Sequence, residues 1–335
     1  IFRGEHLVPA PCETLRQDPE HRLAFGCQAG IVEHGILCKE RFHRIEWVAG
    51  PDERDDRSSI SHCSPNGLVT MKPRILLTND DGINSAGLWA AYEALSPIAQ
   101  VTVVAPATQQ SAVGRSISIF EPIRAHEVEM NGVRAWAVGG KPTDAVIIGL
   151  YALDLRPVMV VSGINIGENL SFESIMTSGT VGAALEAANQ GTPAIAFSLQ
   201  VEDQGDKFDD PRHHAQSFEE SRRVVREVCG IFLGRPLPPG ADILNVNIPS
   251  MVKGGYEVTR LAEKLFVTGV EKRLDPRGRP YFWINGPLID DAGEGTDVHA
   301  IRKGNVSLTP ITLDCTAQSA GPALRALFPG GGGSA

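Results

Sequence analysis

From residue 71 onward, short apolar runs alternate with polar turns and helix-forming stretches. Ile75-Leu-Leu77 ends in Thr78-Asn-Asp-Asp-Gly82, and the apolar run Ala86–Leu95 follows it. This pattern predicts a β-strand feeding a helix. Val101–Ala105 stops at Pro106, Val158–Val161 stops at Ser162-Gly163, and Ala194–Phe197 follows the break Gly191-Thr-Pro193. Short, nearly continuous apolar strands alternating with helices predict an α/β fold with a doubly wound, mostly parallel sheet covered on both faces. Beyond residue 200 the rhythm changes to an acidic loop at Glu202–Asp210, a helix near Phe218–Leu233, and strand-rich sequence. Thr259–Val270 and Arg279–Asn285 flank Asp275-Pro-Arg-Gly278, which predicts a C-terminal β-hairpin arm over about 259–285.

Residues 1–70 show neither a helical nor an alternating period. They hold Cys12, Cys27, Cys38 and Cys63, spaced 15, 11 and 25 residues apart, which lacks the close cysteine pairs of a structural zinc site. We expect residues 1–70 to be a poorly structured, dispensable extension, of the kind that arises when translation is assigned too early a start. Residues 71–320 then form the folded domain, and 321–335, with its Gly330-Gly-Gly-Gly-Ser-Ala335 end, a flexible tail.

Composition adds exclusions. At 335 residues with 42% hydrophobic and 21% charged residues, the chain can bury a large core without disulfide staples. Forty acidic against 31 basic residues, a net charge of -9, give no electrostatic reason to track a nucleic-acid backbone. No run reaches the roughly 18–20 apolar residues of a membrane span, and the start lacks a basic-then-apolar signal. A cytoplasmic protein with neither nucleic-acid nor membrane partners is expected.

In a doubly wound sheet ligands bind beyond the carboxyl ends of the strands. The first strand delivers Asn79, Asp80, Asp81 and Gly82 there. Adjacent ionised carboxylates repel unless a cation or proton intervenes, which favours a hard divalent metal. The alternative is a helix-capping Asp80 beside a solvated Asp81. Ser111, in the loop after the second strand, could offer a hydroxyl, or serve only the turn. Asn165, after the third, could offer a carbonyl oxygen, or close an Asx turn. Ser178-Gly179-Thr180 precedes the helix-forming run Val181–Ala188, so free amides, hydroxyls and the positive helix end would meet at a ready phosphate site, or Ser178 or Thr180 simply caps the helix. Gly139–Asp144 opens another helix, with Thr143 as its expected cap. No Gly-x-Gly-x-x-Gly follows the first strand, Gly140-Lys141 runs into Pro142, and neither Gly-x-Ser-x-Gly nor His-Glu-x-x-His occurs. Dinucleotide, Walker-A, serine-hydrolase and zincin chemistries are therefore excluded.

Six ordered segments resemble the SurE family of survival proteins, metal-dependent 5′/3′-nucleotidases. They are Leu76-Leu-Thr-Asn-Asp-Asp-Gly82, Ala105-Pro106 with Ser111, Ser162-Gly-Ile-Asn165, Ser178-Gly-Thr-Val-Gly-Ala183, Leu244-Asn-Val-Asn-Ile-Pro249, and Gly295-Thr-Asp297 with Val306-Ser-Leu-Thr-Pro310. The resemblance spans about Met71 to Ala317 and implies a Rossmann-like core. It implies one divalent ion per subunit, Mg²⁺ or Mn²⁺, held by Asp80, Asp81, Ser111 and Asn165. It also implies phosphate contacts from Asn79, Ser178, Gly179 and Thr180, with Asn79, Asp80 and Asp81 as the catalytic group. The expected reaction is hydrolysis of nucleoside 5′- and 3′-monophosphates, by metal-assisted water or through an aspartyl phosphate. A homodimer or tetramer through the arm is implied, and because Leu265, Phe266, Val267, Tyr281, Phe282 and Trp283 would otherwise leave a large apolar surface in water they are expected to pack on another protomer, the alternative being an arm that folds back on its own domain. A nucleotide-binding protein without turnover is the competing function. Gly140-Lys-Pro-Thr143 departs from the family's more usual Gly-Thr-Pro, and Lys141 takes no role from it.

Overall fold

In a strand, successive side chains point to opposite faces, and the first strand shows the consequence. Ile75 and Leu77 join a core built with helix residues Leu88, Ala91, Leu95, Val224 and Val228. Leu76, between them, joins a second core with Val146, Val181, Ala184 and Ala187. The sheet is thus buried on both sides, which is why its strands read as continuous apolar runs rather than alternating ones.

The computed structural model describes residues 72–201, 217–289 and 292–328. The extension 1–70, the acidic loop 202–210 and the glycine-rich end 330–335 lie outside the described residues. The strands are β1 (Arg74–Thr78), β2 (Gln100–Pro106), β3 (Ala125–Met130), β4 (Val133–Val138), β5 (Met159–Ile166), β6 (Ala194–Leu199), β7 (Ile243–Ile248), β8 (Tyr256–Val258), β9 (Gly269–Leu274), β10 (Pro280–Asn285) and β11 (Val306–Ile311). Helices α1 (Ala86–Leu95) and α5 (Glu219–Phe232) cover one face, and α2 (Pro142–Ile147) and α4 (Gly179–Asn189) the other. The short helices α3 (Ser171–Thr177), α6 (Asp297–Arg302) and α7 (Gly321–Leu327) complete the set.

Nine strands form one sheet in the order β3-β4-β2-β1-β5-β6-β7-β11-β8. From β4 to β7 neighbouring strands are parallel, while β3 pairs antiparallel with β4 and β11 antiparallel with β7. β1 lies between β2 on one side and β5 on the other, so the chain order reverses at β1. The crevice outside the carboxyl ends of these three strands is the topological switch point where such sheets bind ligands.

The expected α/β architecture is present, with differences at three places. The hairpin begins later than the sequence predicts: β9 and β10 pair antiparallel from Gly269 to Asn285, and the same register runs on through Phe266 opposite Leu288 to Leu265 opposite Ile289. The preceding stretch is instead held by its own domain. Thr259 N–H donates to Leu308 and Arg260 to Gly295, and Leu265, at the base of the hairpin, is buried with Leu170, Ala262, Val298 and Ile301. Leu265 therefore does not belong to an outward apolar face, and Phe266 packs against the same small cluster. Thr143 does not cap α2. The Asp144 carboxylate accepts the Lys141 N–H at 2.8 Å, while the Thr143 hydroxyl donates to the Ser116 carbonyl. Lastly, Gly321–Leu327, expected in the tail, is helical, with no buried residue.

Candidate active site

At the end of β1 the chain turns sharply, and the turn closes on itself. The Asn79 side chain accepts the Gly82 N–H and donates to the Gly82 carbonyl, both at 3.2 Å. Gly82 has φ +93°, and a Cβ there would stand 3.0 Å from the Thr108 backbone, so only glycine fits without strain. The Ile83 N–H bonds the Pro106 carbonyl at 2.8 Å, tying the turn to the end of β2. The result presents Asp80 and Asp81 to the crevice while keeping both side chains buried, at 5% and 7% exposed.

The capping alternative for Asp80 fails, because Ser85 occupies the N-cap of α1. Asp80 meets α4 instead. The Thr180 hydroxyl donates to its Oδ1, and the amides of Gly179 and Thr180 also hydrogen-bond the carboxylate. The approach is close enough that a Cβ on Gly179 would lie 2.7 Å from Asp80 Cβ. Free N–H groups and the positive end of a helix dipole favour an anion, and here they hold a carboxylate of the chain itself. Ser178 is the N-cap of α4, its hydroxyl accepting the Val181 N–H at 3.1 Å. That outcome matches the simple capping reading of Ser178, with the anion-binding reading satisfied by Gly179 and Thr180.

Asp81 is fixed from the other strand ends. Its Oδ2 accepts the Ile166 N–H at 3.2 Å, and its Oδ1 the Gln109 side-chain amide at 3.4 Å. The Gln110 N–H donates to the Asp80 carbonyl at 2.7 Å, which brings the β2–β3 loop, with Ser111 exposed on it, beside the carboxylates. Asn165, one residue before Ile166, lies near the carboxyl end of β5, and its Nδ2 donates to the Gly167 carbonyl at 2.6 Å. Its carboxamide thus closes the local turn.

A model of the family described as survival protein SurE matches residues 75–268. The chain is 77% identical over 258 residues to a protein of Methanoregula boonei and 74% identical over 260 residues to one of Methanoculleus marisnigri, both named 5′-nucleotidase SurE. These alignments cover 77% and 78% of this chain and 99% of each relative. The crystal structure of the SurE protein from Aquifex aeolicus superimposes with a TM-score of 0.65 at 35% identity, covering 76% of this chain and all of that one. The chain belongs to the SurE family.

Electrostatics mark the SurE carboxylate pair as unusual. Burial holds the Asp80 carboxyl above the ordinary carboxylate range, against the opposing hydrogen bonds from Thr180, Gly179 and its own amide. Asp81 is pushed up to about 7, first by burial and then by the charge of Asp80, with the Ile166 and Gln109 hydrogen bonds acting against the rise. None of the ion pairs formed among the described residues involves either carboxylate.

All eight residues singled out from the sequence occupy the β1, β2 and β5 ends or the start of α4. The structure joins Asp80, Asp81, Gly179 and Thr180 through direct contacts or a shared backbone, and leaves Ser111 and Asn165 on adjoining segments. Asn79 proves to be a turn former with one amide hydrogen to spare. Gln109 was not read from the sequence, although a hydrogen-bonding side chain two residues before Ser111 was the available signal. The asparagines of Leu244–Pro249 also gain a role: Asn245 and Asn247 donate to the Asn169 carbonyl at 2.9 and 3.0 Å, and Asn247 accepts the Asn169 N–H at 2.8 Å. This buried network anchors the loop that follows Asn165.

Proposed function

We propose that this chain is a metal-dependent phosphomonoesterase that hydrolyses nucleoside 5′- and 3′-monophosphates to nucleoside and phosphate, acting in the cytoplasm as an oligomer joined through its arm. The single observation that carries the reading is the meeting of two adjacent buried carboxylates with the amino end of α4 at the switch point of the sheet. The Methanoregula boonei and Methanoculleus marisnigri relatives, named 5′-nucleotidase SurE, support the nucleotidase part. The exposed apolar side chains of the arm, including Phe282, Trp283 and Ile284, support the oligomer.

The donor set fits a hard divalent cation. Two carboxylates without an ionic partner among the described residues, both pushed toward protonation by burial, lack a positive charge that such an ion would provide. Asp80 and Asp81, with the Ser111 hydroxyl and the Asn165 carbonyl oxygen, would hold Mg²⁺ or Mn²⁺, one per subunit. Bound there, the ion would supply polarisation of a phosphoryl oxygen and acidification of a water. The chain supplies the rest. The Gly179 and Thr180 amides, the Thr180 hydroxyl and the helix dipole bind the non-bridging oxygens, whose negative charge they are oriented to meet. Asn79 has its second amide hydrogen available for the same group. Gln109 and the Ile166 amide keep Asp81 directed into the crevice. Asp80 and a phosphoryl group compete for the same donors, so neutralisation of Asp80 frees them for substrate.

Release of p-nitrophenol from p-nitrophenyl phosphate, and of phosphate from AMP and 3′-AMP, is measured with Mn²⁺ and with excess EDTA. Turnover that requires Mn²⁺ and is lost in Asp80→Ala is the expected result. AMP binding without turnover at any divalent concentration would replace the enzyme by a nucleotide-binding protein, and activity in Asp80→Ala with EDTA would end the metal reading.

A further inference from the structure

Ser111 sits on a loop whose exposed residues have little core to hold them, yet a hydroxyl offered to an ion must be held within a few tenths of an ångström. The structure shows what holds it. Arg115 reaches back to α4, where its Nε and Nη2 lie 2.9 and 2.8 Å from Glu186 Oε2. Glu186 is 4% exposed at its side chain, and its other oxygen accepts the Gln190 amide at 2.6 Å, so the acceptor is fixed from two sides. The backbone follows the side chain. The Gly114 N–H donates to the Thr177 carbonyl at 2.7 Å, and the Gly114 carbonyl approaches Gly182 so closely that a Cβ there would lie 2.4 Å away. Beyond Arg115, the Ser118 N–H and hydroxyl bond the Asp144 carboxylate at 2.9 and 2.7 Å, closing the far end of the loop on α2.

Glu186 lies seven residues after Gly179, two turns along the helix whose first amides meet Asp80. One rigid helix therefore carries both the anion-binding amides and the anchor of the Ser111 loop. We infer that Arg115 is a positioning residue: its ion pair with Glu186 sets the Ser111 hydroxyl relative to Asp80 and to the start of α4. The inference rests on the metal reading given above for Ser111. It assigns Arg115 no contact with substrate or metal. Arg115 is 40% exposed at its side chain, so water screens part of the attraction. The planar, two-nitrogen contact still fixes direction in a way a lysine cannot fully copy.

The test uses the full chain with Arg115→Met, Glu186→Gln and Arg115→Lys. Hydrogen exchange without added metal reads the loop directly, at the Gln110 and Gly114 amides. Mn²⁺ binding by calorimetry reads the consequence. Arg115→Met and Glu186→Gln are expected to speed exchange at both amides, leave amides in the middle of α4 unchanged, and weaken Mn²⁺ binding by about five- to tenfold, as loss of a partly screened charged hydrogen bond allows. Arg115→Lys should recover part of both effects. Unchanged exchange in Arg115→Met overturns the clamp whether or not the chain binds metal. Faster exchange with unchanged Mn²⁺ affinity leaves a merely structural ion pair and overturns the positioning role. A parent chain that binds no Mn²⁺ while its loop amides respond as expected overturns the metal reading, and with it the role assigned through Ser111.

Discussion

Replacing Asp81 by Asn should stabilise the chain in EDTA at pH 8, an unusual result for a residue in a functional crevice. Asp81 is pushed up to about 7 from 3.8. A raised pKa means that the folded chain holds the proton more tightly than the unfolded one, so the favourable contribution is present below about pH 4 and is lost as pH rises through about 7. The shift is roughly 3 units, and at about 1.4 kcal/mol per unit the ionised carboxylate destabilises the fold by up to about 4 kcal/mol. Asn carries no charge at any pH and keeps the shape. Its carbonyl can accept the Ile166 N–H, and Gln109 can turn its own carbonyl toward the new amide, so no hydrogen bond need be lost.

Thermal melts of parent and Asp81→Asn in EDTA at pH 5 and pH 8 provide the measurement. For a chain of this size about 1 kcal/mol moves Tm by roughly 2–4 °C, so at pH 8 the variant should melt up to about 16 °C higher, with a smaller gap at pH 5. Added Mn²⁺ should narrow the gap at pH 8, since a ligand at a hundred times its dissociation constant stabilises its binder by about 2.7 kcal/mol and the variant has lost a ligand. A variant that melts at or below the parent at pH 8 in EDTA, or a gap independent of pH, would refute the reasoning.

Gly179→Ala should place a Cβ 2.7 Å from Asp80 Cβ; the resulting overpacking costs about 1–3 kcal/mol, more than the roughly 1 kcal/mol that alanine gains in a helix, and both Tm and turnover should fall. An unchanged Tm would show that the carboxylate has room to move. A chain starting at Met71 should fold and keep its turnover number within about twofold; loss of activity with an unchanged circular dichroism spectrum would give residues 1–70 a part in catalysis. Phe282→Ser combined with Trp283→Ser should lower the mass of the assembly seen by light scattering, because these exposed side chains, 62% and 56% accessible, supply the arm's apolar area. A parent that is already a monodisperse monomer would contradict the arm's role.

The strands could be read from the chain alone, because parallel strands buried on both faces are apolar at most positions and so stand out as runs such as Ile75–Leu77 and Ala194–Phe197. The sequence also determined where chemistry would gather, since polar residues after such runs can only lie along one edge of the sheet. Local patterns could not decide partners distant in the chain. Whether the free amides before Val181 face a ligand or Asp80 depends on a contact 100 residues apart, and the Arg115–Glu186 pair spans 71. The same holds for Thr259–Thr268, whose apolar and β-branched residues suggest a strand of the arm. Hydrogen bonds to Leu308 and Gly295, together with burial of Leu265 against α6, draw the first part of that stretch into the domain, and antiparallel pairing of the hairpin begins only at Leu265 opposite Ile289. Periodicity reports which side of an element is apolar, and only the packed chain decides what that side meets.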